Sequence, residues 1–374
     1  MSERFSEAET GYMRTALRLA RRGMGNTWPN PSVGCVLVRA GHIVGRGWTQ
    51  PGGRPHAETQ ALLQAGEAAR GADVYVTLEP CSHYGKTPPC ASALINAGVR
   101  RVVAAIADPD ERVSGRGFAL LRDAGIDVSV GLCAEEALSV NAGYLLRQNT
   151  GRPWVTLKVA ATLDGKIATR SGESQWITGA AARLFVHRLR AEHDAVAVGL
   201  GTVLADNPSL TCRLPGWKGY RKGRVVFDSR LRISPESTLV ASCSEKCPVW
   251  IVACEGQITD EKRHVLNEKN VSVVSVPDNG YGRPRLGDAL LRLGQSAGIT
   301  RLFVEGGSVL AAAFLEAGLV DAVVWFHAPG VIGGDGISSV AALTERPLKD
   351  IPRFHRVKTM EFGQDSVSFF ERLK

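Results

Sequence analysis

The sequence predicts an α/β protein of two domains, an α/β/α sandwich followed by a second α/β unit. Three observations carry that expectation. Short β-rich runs alternate with helical stretches from Val33 to Val130, the pattern of a sheet covered by helices on both faces. A polar stretch from Leu146 to Pro153, holding a glycine and a proline, then interrupts the alternation. From Trp154 the alternation resumes. A length of 374 residues allows two or three domains, and the junction is expected at 148/149, giving domains 1–148 and 149–374.

In the first half, Tyr12, Met13, Ala16, Leu17, Leu19 and Ala20 recur at helical spacing between Glu7 and Gly23, and Gly23 can end the helix. Trp28-Pro29-Asn30-Pro31 must be irregular, because each proline restricts itself and the residue before it. Val33–Arg39 and His42–Trp48 read as a hairpin about Ala40-Gly41. Pro55 opens a helix carrying His56, Glu58, Ala61, Leu62 and Leu63, closed by Gly66. Strands are expected at Asp73–Leu78, Arg101–Ile106 and Ile126–Val130, and helices at Cys90–Ala97 and Gly115–Ala124.

The chemistry of this half lies between His56 and Cys90. His56-Ala57-Glu58 is followed by Pro80-Cys81 and, nine residues past Cys81, by Cys90. One nitrogen and two sulfurs suit zinc, and three protein ligands leave the fourth tetrahedral position open, as in catalytic rather than structural sites. Glu58 is not needed as a ligand and is the candidate general acid/base. The pattern resembles the H-x-E and P-C-x-x-C motifs of the zinc nucleobase deaminases, with eight residues, Ser82 to Pro89, between the cysteines in place of two. Active sites in such sheets lie at the carboxyl ends of strands, where helices begin. His56 and Cys90 are both expected at helix starts, where the positive end of the dipole favours a thiolate.

In the second half, strands are expected at Trp154–Ala160, Ala195–Val198, Val225–Phe227, Val249–Val252, Val271–Val276, Leu302–Val304 and Ala322–Phe326. Helices are expected at Ala180–Arg190, Asp260–Leu266, Asp288–Gly298 and Val309–Ala317, with a turn at Leu163-Asp164-Gly165. Gly306-Gly307-Ser308, between a strand and an Ala-rich helix, can offer backbone N–H groups and a helix dipole to a phosphate, or can simply be a tight turn. Gly85-Lys86-Thr87 mimics the end of a Walker A loop, but Pro80 stands where that motif needs glycine. Gly199-Leu200-Gly201 lacks the third glycine of a dinucleotide fingerprint.

Longer motifs carry a family resemblance. Thr77-Leu78-Glu79-Pro80-Cys81-Ser82-His83-Tyr84-Gly85-Lys86-Thr87-Pro88-Pro89-Cys90 and Pro29-Asn30-Pro31-Ser32-Val33-Gly34-Cys35 resemble the pyrimidine deaminases of riboflavin biosynthesis. Leu157 to Lys166, Ser171 to Thr178 and Gly201 to Pro208 are similar to the reductase domain of the same bifunctional family, RibD. The resemblance covers essentially the whole chain. It implies a cytidine-deaminase-like domain followed by a dihydrofolate-reductase-like domain. It also implies one zinc ion, NADPH and a phosphoribosylated diaminopyrimidinone, which is deaminated and then reduced at the ribosyl group to ribityl.

Further roles follow only from that resemblance. Asn30 would bond the pyrimidine, and His83, Lys86 and Thr87 would lie near the polar end of the substrate. Ala160, Trp176, Thr202, Asp206, Ser229, Gly307, Ser308, Val309 and Leu310 would touch NADPH. Ser174, Arg190, Leu210, Arg213 and Glu305 would touch the substrate, with Arg190 and Arg213 suited to its phosphate by their bidentate guanidinium groups. Lys158 and Glu305 are the candidates for polarising and protonating the reduced centre, and Arg230 is either a reader of the NADPH 2′-phosphate or a loop cation.

Bulk properties constrain the remaining alternatives. The composition is 44% hydrophobic and 22% charged, with no apolar run of membrane-spanning length and no apolar N-terminal segment of the signal-peptide kind. Of eight cysteines two belong to the zinc pattern, and Cys35, Cys133, Cys212, Cys243, Cys247 and Cys254 show no framework spacing, which points to a reducing compartment, the cytoplasm. Cys243, Cys247 and Cys254 fall in expected loop and edge strand and make a poor second zinc site. The net charge of +8 implies acidic partners. A nucleic-acid-editing deaminase with an RNA-binding second domain is the competing reading, but basic residues are scattered and aromatics make up only 6%. A zinc-structured phosphate binder is a third. A small-molecule enzyme is expected, with no nucleic acid and no membrane, assembled as a homo-oligomer (dimer or tetramer).

Overall fold

The chain divides into two units, Met1–Thr150 and Gly151–Lys374, and the hydrophobic clusters about Leu17 and about Phe303 each lie within one of them. The computed structural model describes residues 5–84, 88–110, 113–217, 219 and 222–373.

The first unit begins with α1 (Glu7–Gly23), started by a reciprocal cap in which Ser6 Oγ accepts from Glu9 N–H and Glu9 accepts from Ser6 N–H. Its buried face of Met13, Ala16, Leu17 and Ala20 packs on the sheet. Strands β1 (Gly34–Arg39) and β2 (His42–Trp48) form the expected hairpin. Ala40 and Gly41 both take positive φ at its turn, which suits the twist of the strands they join. Then follow α2 (Ala57–Ala65), β3 (Asp73–Val76), α3 (Cys90–Asn96), β4 (Arg101–Ala104), α4 (Arg116–Asp123), β5 (Asp127–Val130) and α5 (Ala134–Thr150).

The sheet order is β2-β1-β3-β4-β5. β1 runs antiparallel to both its neighbours, while β3, β4 and β5 are parallel. Helices α1 and α5 meet on one face, and α2, α3 and α4 follow one another on the other, so this unit has three layers. Helix α5 was not among the expected elements. The polar run Arg147–Thr150 is its solvated last turn, ended by Gly151 at φ +78°, and the division falls two residues past 148/149.

The second unit holds β6 (Trp154–Ala161), β7 (Lys166–Ala168), α6 (Ala180–Glu192), β8 (Ala195–Gly199), α7 (Leu200–Asp206), β9 (Gly223–Phe227) and α8 (Thr238–Ala241). It continues with β10 (Val249–Cys254), α9 (Asp260–Glu268), β11 (Ser272–Val276), α10 (Leu286–Gln295), β12 (Arg301–Gly306) and α11 (Ser308–Glu316). Strands β13 (Ala322–His327), β14 (Ile337–Ser338), β15 (Phe354–Phe362) and β16 (Asp365–Arg372) complete it. Nine strands form one sheet in the order β11-β10-β9-β8-β12-β6-β13-β16-β15, and β7 pairs with β14 in a separate ribbon.

From β11 to β13 all neighbours are parallel, and the hairpin β15/β16 adds antiparallel strands at one edge. That hairpin escapes sequence reading because most of β15 is exposed and so lacks an apolar alternation. A second correction concerns Cys254. It lies buried on β10, inside the sheet and not on an edge strand, and no metal-holding cluster of Cys243, Cys247 and Cys254 forms among the described residues.

Candidate active sites

Parallel strands end where helices begin, and the first unit places its reactive groups at that seam. His56 caps α2, and Glu58 lies in its first turn, 3% exposed. Cys81 follows the end of β3, and Cys90 opens α3. The ligand atoms of His56, Cys81 and Cys90 lie within 4.8 Å of one another. His56 Nδ1 is 3.6 Å from Cys81 Sγ and 3.4 Å from Cys90 Sγ, and the Cys90 N–H donates to Cys81 Sγ at 3.3 Å. Hydrogen bonding from the Cys90 thiol, opposed by burial and aided by His56, brings Cys81 down to about 4. Burial pushes the Glu58 carboxyl up to about 7, with His56 pulling it back. A thiolate, a second sulfur and an imidazole nitrogen converging beside a separate carboxyl form a donor set that fits zinc with a coordination position to spare.

The cleft in front of this cluster is lined by Asn30, Arg54, His83, Asp108, Asp110 and Tyr144, among others. Of the residues expected to contact substrate here, Asn30 and His83 line the cleft, while Lys86 and Thr87 lie outside the described residues. Sequence reading missed Asp108, Tyr144 and Glu79. Tyr144 Oη donates to Asp108 Oδ1 at 3.1 Å, and burial pushes the Asp108 carboxyl up to about 6. Glu79 accepts backbone N–H bonds from Asp108, Gly115, Gly117 and Phe118, which ties the segment before Cys81 to the start of α4. An Asp-Pro-Asp run after a strand was the available signal for Asp108. Tyr144 gave none, because it stands in the helix that went unrecognised.

In the second unit the parallel pairing of β12 with β6, Val304 opposite Leu157, brings Glu305 next to Lys158. Arg190 on α6 binds Glu305 bidentately, through Nε and through Nη2 at 2.8 Å, and its Nη1 donates to the Thr211 carbonyl at 2.8 Å. The guanidinium expected to meet the substrate phosphate is thus engaged with Glu305. Burial pushes Glu305 up, but Arg190 and Lys158 outweigh it and hold the carboxyl below the ordinary range. Burial, partly offset by Glu305, pulls the Lys158 ammonium below its usual 10.5. His187, one helical turn before Arg190, was also missed: its Nδ1 accepts the Arg213 N–H at 3.2 Å.

Thr202 on α7 stands against the Gly306-Gly307 turn, since a Cβ on either glycine would lie 3.6 Å from Thr202 Oγ1. Gly307, at φ +83°, caps α11, whose first residues are Ser308, Val309 and Leu310. A backbone cradle at the start of a helix suits a dinucleotide phosphate. The remaining predicted residues are spread over other segments. Trp176 is 69% exposed, with the Arg183 guanidinium 4.3 Å over its ring. Asp206 ends α7, and Ser229 lies past β9, where its carbonyl accepts Cys254 N–H. Ala160 is half-buried on β6, Ser174 is half-buried before Trp176, and Leu210 is buried at φ +51°. No hydrogen bond among the described residues joins Trp176, Asp206 or Ser229 to the turn. Arg230 is exposed.

Comparison with known proteins agrees with this two-site layout. Residues 6–106 match the cytidine and deoxycytidylate deaminase zinc-binding region, and residues 153–368 match the RibD C-terminal domain. The riboflavin biosynthesis protein RibD of Bacillus amyloliquefaciens is 42% identical over 96% of this chain and 94% of its own. That of Escherichia coli K12 is 43% identical over 95% and 96%. RibD of Acinetobacter baumannii superposes with a TM-score of 0.87 at 36% identity, covering 98% of this chain and 99% of that one. The diaminohydroxyphosphoribosylaminopyrimidine deaminase/5-amino-6-(5-phosphoribosylamino)uracil reductase of Thermotoga maritima gives 0.85 at 33% identity over the same shares. This chain belongs to the RibD family, a bifunctional enzyme of riboflavin biosynthesis that joins a zinc-dependent deaminase domain to an NADPH-dependent reductase domain.

Proposed function

We propose that His56, Cys81 and Cys90 hold the zinc ion and that Glu58 moves the protons of the deamination. The substrate is 2,5-diamino-6-(5-phosphoribosylamino)pyrimidin-4-one. When bound, zinc polarises water and lowers its pKa to about 7. Glu58, its carboxyl raised by burial to about 7, takes a proton from the attacking water. It delivers that proton to the ring nitrogen, then takes the proton of the added hydroxyl and passes it to the departing amine. Water adds at the ring carbon, the carbon–nitrogen bond to the exocyclic amine breaks, ammonia leaves and a ring carbonyl remains. Asn30, in the cleft wall, orients the pyrimidine. The convergence of three ligand atoms within 4.8 Å beside a buried, non-ligating carboxyl carries this reading.

When bound in the second domain, NADPH would supply hydride to C1 of the ribose in its open-chain imine form. Lys158 delivers the balancing proton, and Glu305, kept ionised by Arg190, fixes the position of Lys158. Of the two candidates for protonation, the geometry favours Lys158, because the Arg190 ion pair opposes a proton on Glu305. The Gly307–Leu310 turn and Thr202 cradle the cofactor, with Ala160, Trp176, Asp206 and Ser229 completing its site. Ser174, Leu210 and Arg213 face the substrate, and Arg190 joins them through its pair with Glu305.

Incubating the protein with the diaminopyrimidinone ribotide and NADPH should release ammonia before NADPH is consumed. Oxidation of NADPH without prior ammonia release overturns this order. Glu58→Gln should slow deamination by about 10²–10⁴-fold yet still reduce the deaminated intermediate.

A homo-oligomer is proposed as well, because β15 leaves an exposed sheet edge open to pairing, and sedimentation at a monomer mass would overturn it. A cytoplasmic setting fits eight cysteines that are all unpaired and is checked by cell fractionation. No helix is long and apolar enough to cross a membrane among the described residues. The nucleic-acid-editing reading is not favoured, since the second domain is a reductase domain. Steep, salt-dependent RNA binding would revive it.

A further inference from the structure

A phosphoribosylated substrate brings close to two negative charges into the deaminase cleft. The carboxyl groups of Glu58, Glu79, Asp108 and Asp110 already line that cleft. Zinc bound by two thiolates and one neutral imidazole contributes no net charge. Among the described lining residues, Arg54 is the one side chain that is always cationic. One arginine in a Gly-Gly-Arg-Pro loop carries no motif of its own.

The structure fixes where Arg54 starts from. The turn Pro51–Gly53 is closed by Gly53 N–H to Gln50 carbonyl (2.9 Å), and Gln50 N–H in turn bonds the Pro55 carbonyl (3.1 Å). Gly52 N–H anchors the loop to the Asn26 carbonyl (2.8 Å). Gly53 takes φ +84°, and a Cβ there would sit 1.8 Å from Asn30 Nδ2. Only glycine allows this approach, so the residue before Arg54 rests on the amide proposed to hold the pyrimidine. Two residues after Arg54 comes the zinc ligand His56. The cation therefore springs from a braced turn that packs on Asn30 and leads into His56.

A second observation points to a ligand in the same cleft. His83 Nδ1 is buried with no hydrogen-bond partner among the described residues. Such a group is costly to leave unmet, and a bound oxyanion or hydroxyl would satisfy it.

We infer that Arg54 is a specificity-determining residue of the deaminase site. Its guanidinium pairs with the 5-phosphate of the substrate, and His83 contributes a ring nitrogen to the same polar end. This rests on the deaminase reading above. Bidentate pairing of a planar guanidinium with phosphate oxygens gives Arg54 the means to select ribotides over ribosides.

The test compares ammonia release from the diaminopyrimidinone ribotide and from its dephosphorylated riboside, in wild-type, Arg54→Gln and Arg54→Lys proteins of matched zinc content. Loss of a charged hydrogen-bonding partner should raise the KM for the ribotide roughly 10- to 100-fold in Arg54→Gln, with kcat moving much less. The riboside KM should barely change, and lysine should restore part of the loss. Reduction of the deaminated intermediate should keep its wild-type kinetics, which shows the chain to be folded. A ribotide KM unchanged in Arg54→Gln, or one that rises equally for ribotide and riboside, overturns the inference alone. Failure of the wild-type protein to release ammonia from the ribotide overturns the deaminase reading, and this inference with it.

Discussion

Lys158 and Glu305 show what a charge does to its neighbour inside a folded sheet. Both carry ionisable groups on adjacent strands, yet Arg190 makes them unequal. Glu305 stays ionised, and Lys158 loses part of its hold on its proton to burial. If Lys158 is the acid of the reduction, activity needs its protonated form and falls as pH rises through its pKa, which lies below the ordinary 10.5. Lys158→Met should cut kcat for reduction by about 10²–10⁴-fold and abolish that alkaline limb, while ammonia release continues. A retained limb in the variant would assign the acid elsewhere. The Arg190–Glu305 pair was not legible in the sequence, since 115 positions separate its members. His56, Glu58, Cys81 and Cys90 were legible because metal chemistry restricts both residue type and spacing. Asp108 and Tyr144 were not, because a carboxylate or phenol in a pocket wall has no obligatory spacing.

Among the elements, α2 bears most directly on the proposed deaminase chemistry, because its first turn carries Glu58 and its cap is His56. The helix lies on β2 through two glycines. A Cβ on Gly45 would come 2.2 Å from the Ala61 carbonyl oxygen, and one on Gly47 would come 2.0 Å from that of Ala57. Backbone cannot yield as a flexible side chain can, so Gly47→Ala must lift the first turn of α2 off the sheet. The expected cost is about 1–3 kcal/mol in stability. Zinc affinity should also fall, by about 10–100-fold, the scale seen when a ligand's support is disturbed. Chelator competition measures the affinity and denaturant unfolding the stability; a variant that holds zinc like wild type would show that α2 is not so tightly seated. The α/β alternation made most strands and helices readable from apolar runs. Where an element lies mostly in solvent, as β15 does, or carries polar residues through its last turn, as α5 does, no such run marks it.

At the scale of the whole chain, the hydrophobic clusters about Leu17 and about Phe303 share no residue, and the proposed metal ligands all belong to the first unit. Whatever binds only the native state raises its stability by mass action, about 4 kcal/mol when the ligand stands a thousandfold above its Kd. Zinc should therefore stabilise the first unit and leave the second nearly untouched. Stripping the metal with a chelator should lower the unfolding temperature of one calorimetric transition and leave another in place. NADPH should raise the transition that the chelator spares. The same treatment should abolish ammonia release while reduction of the deaminated intermediate persists. If chelation instead shifts both transitions equally, the two units unfold as one cooperative body. The separation of sites would then be chemical only, and zinc bound in the first unit would also set the lifetime of the reductase.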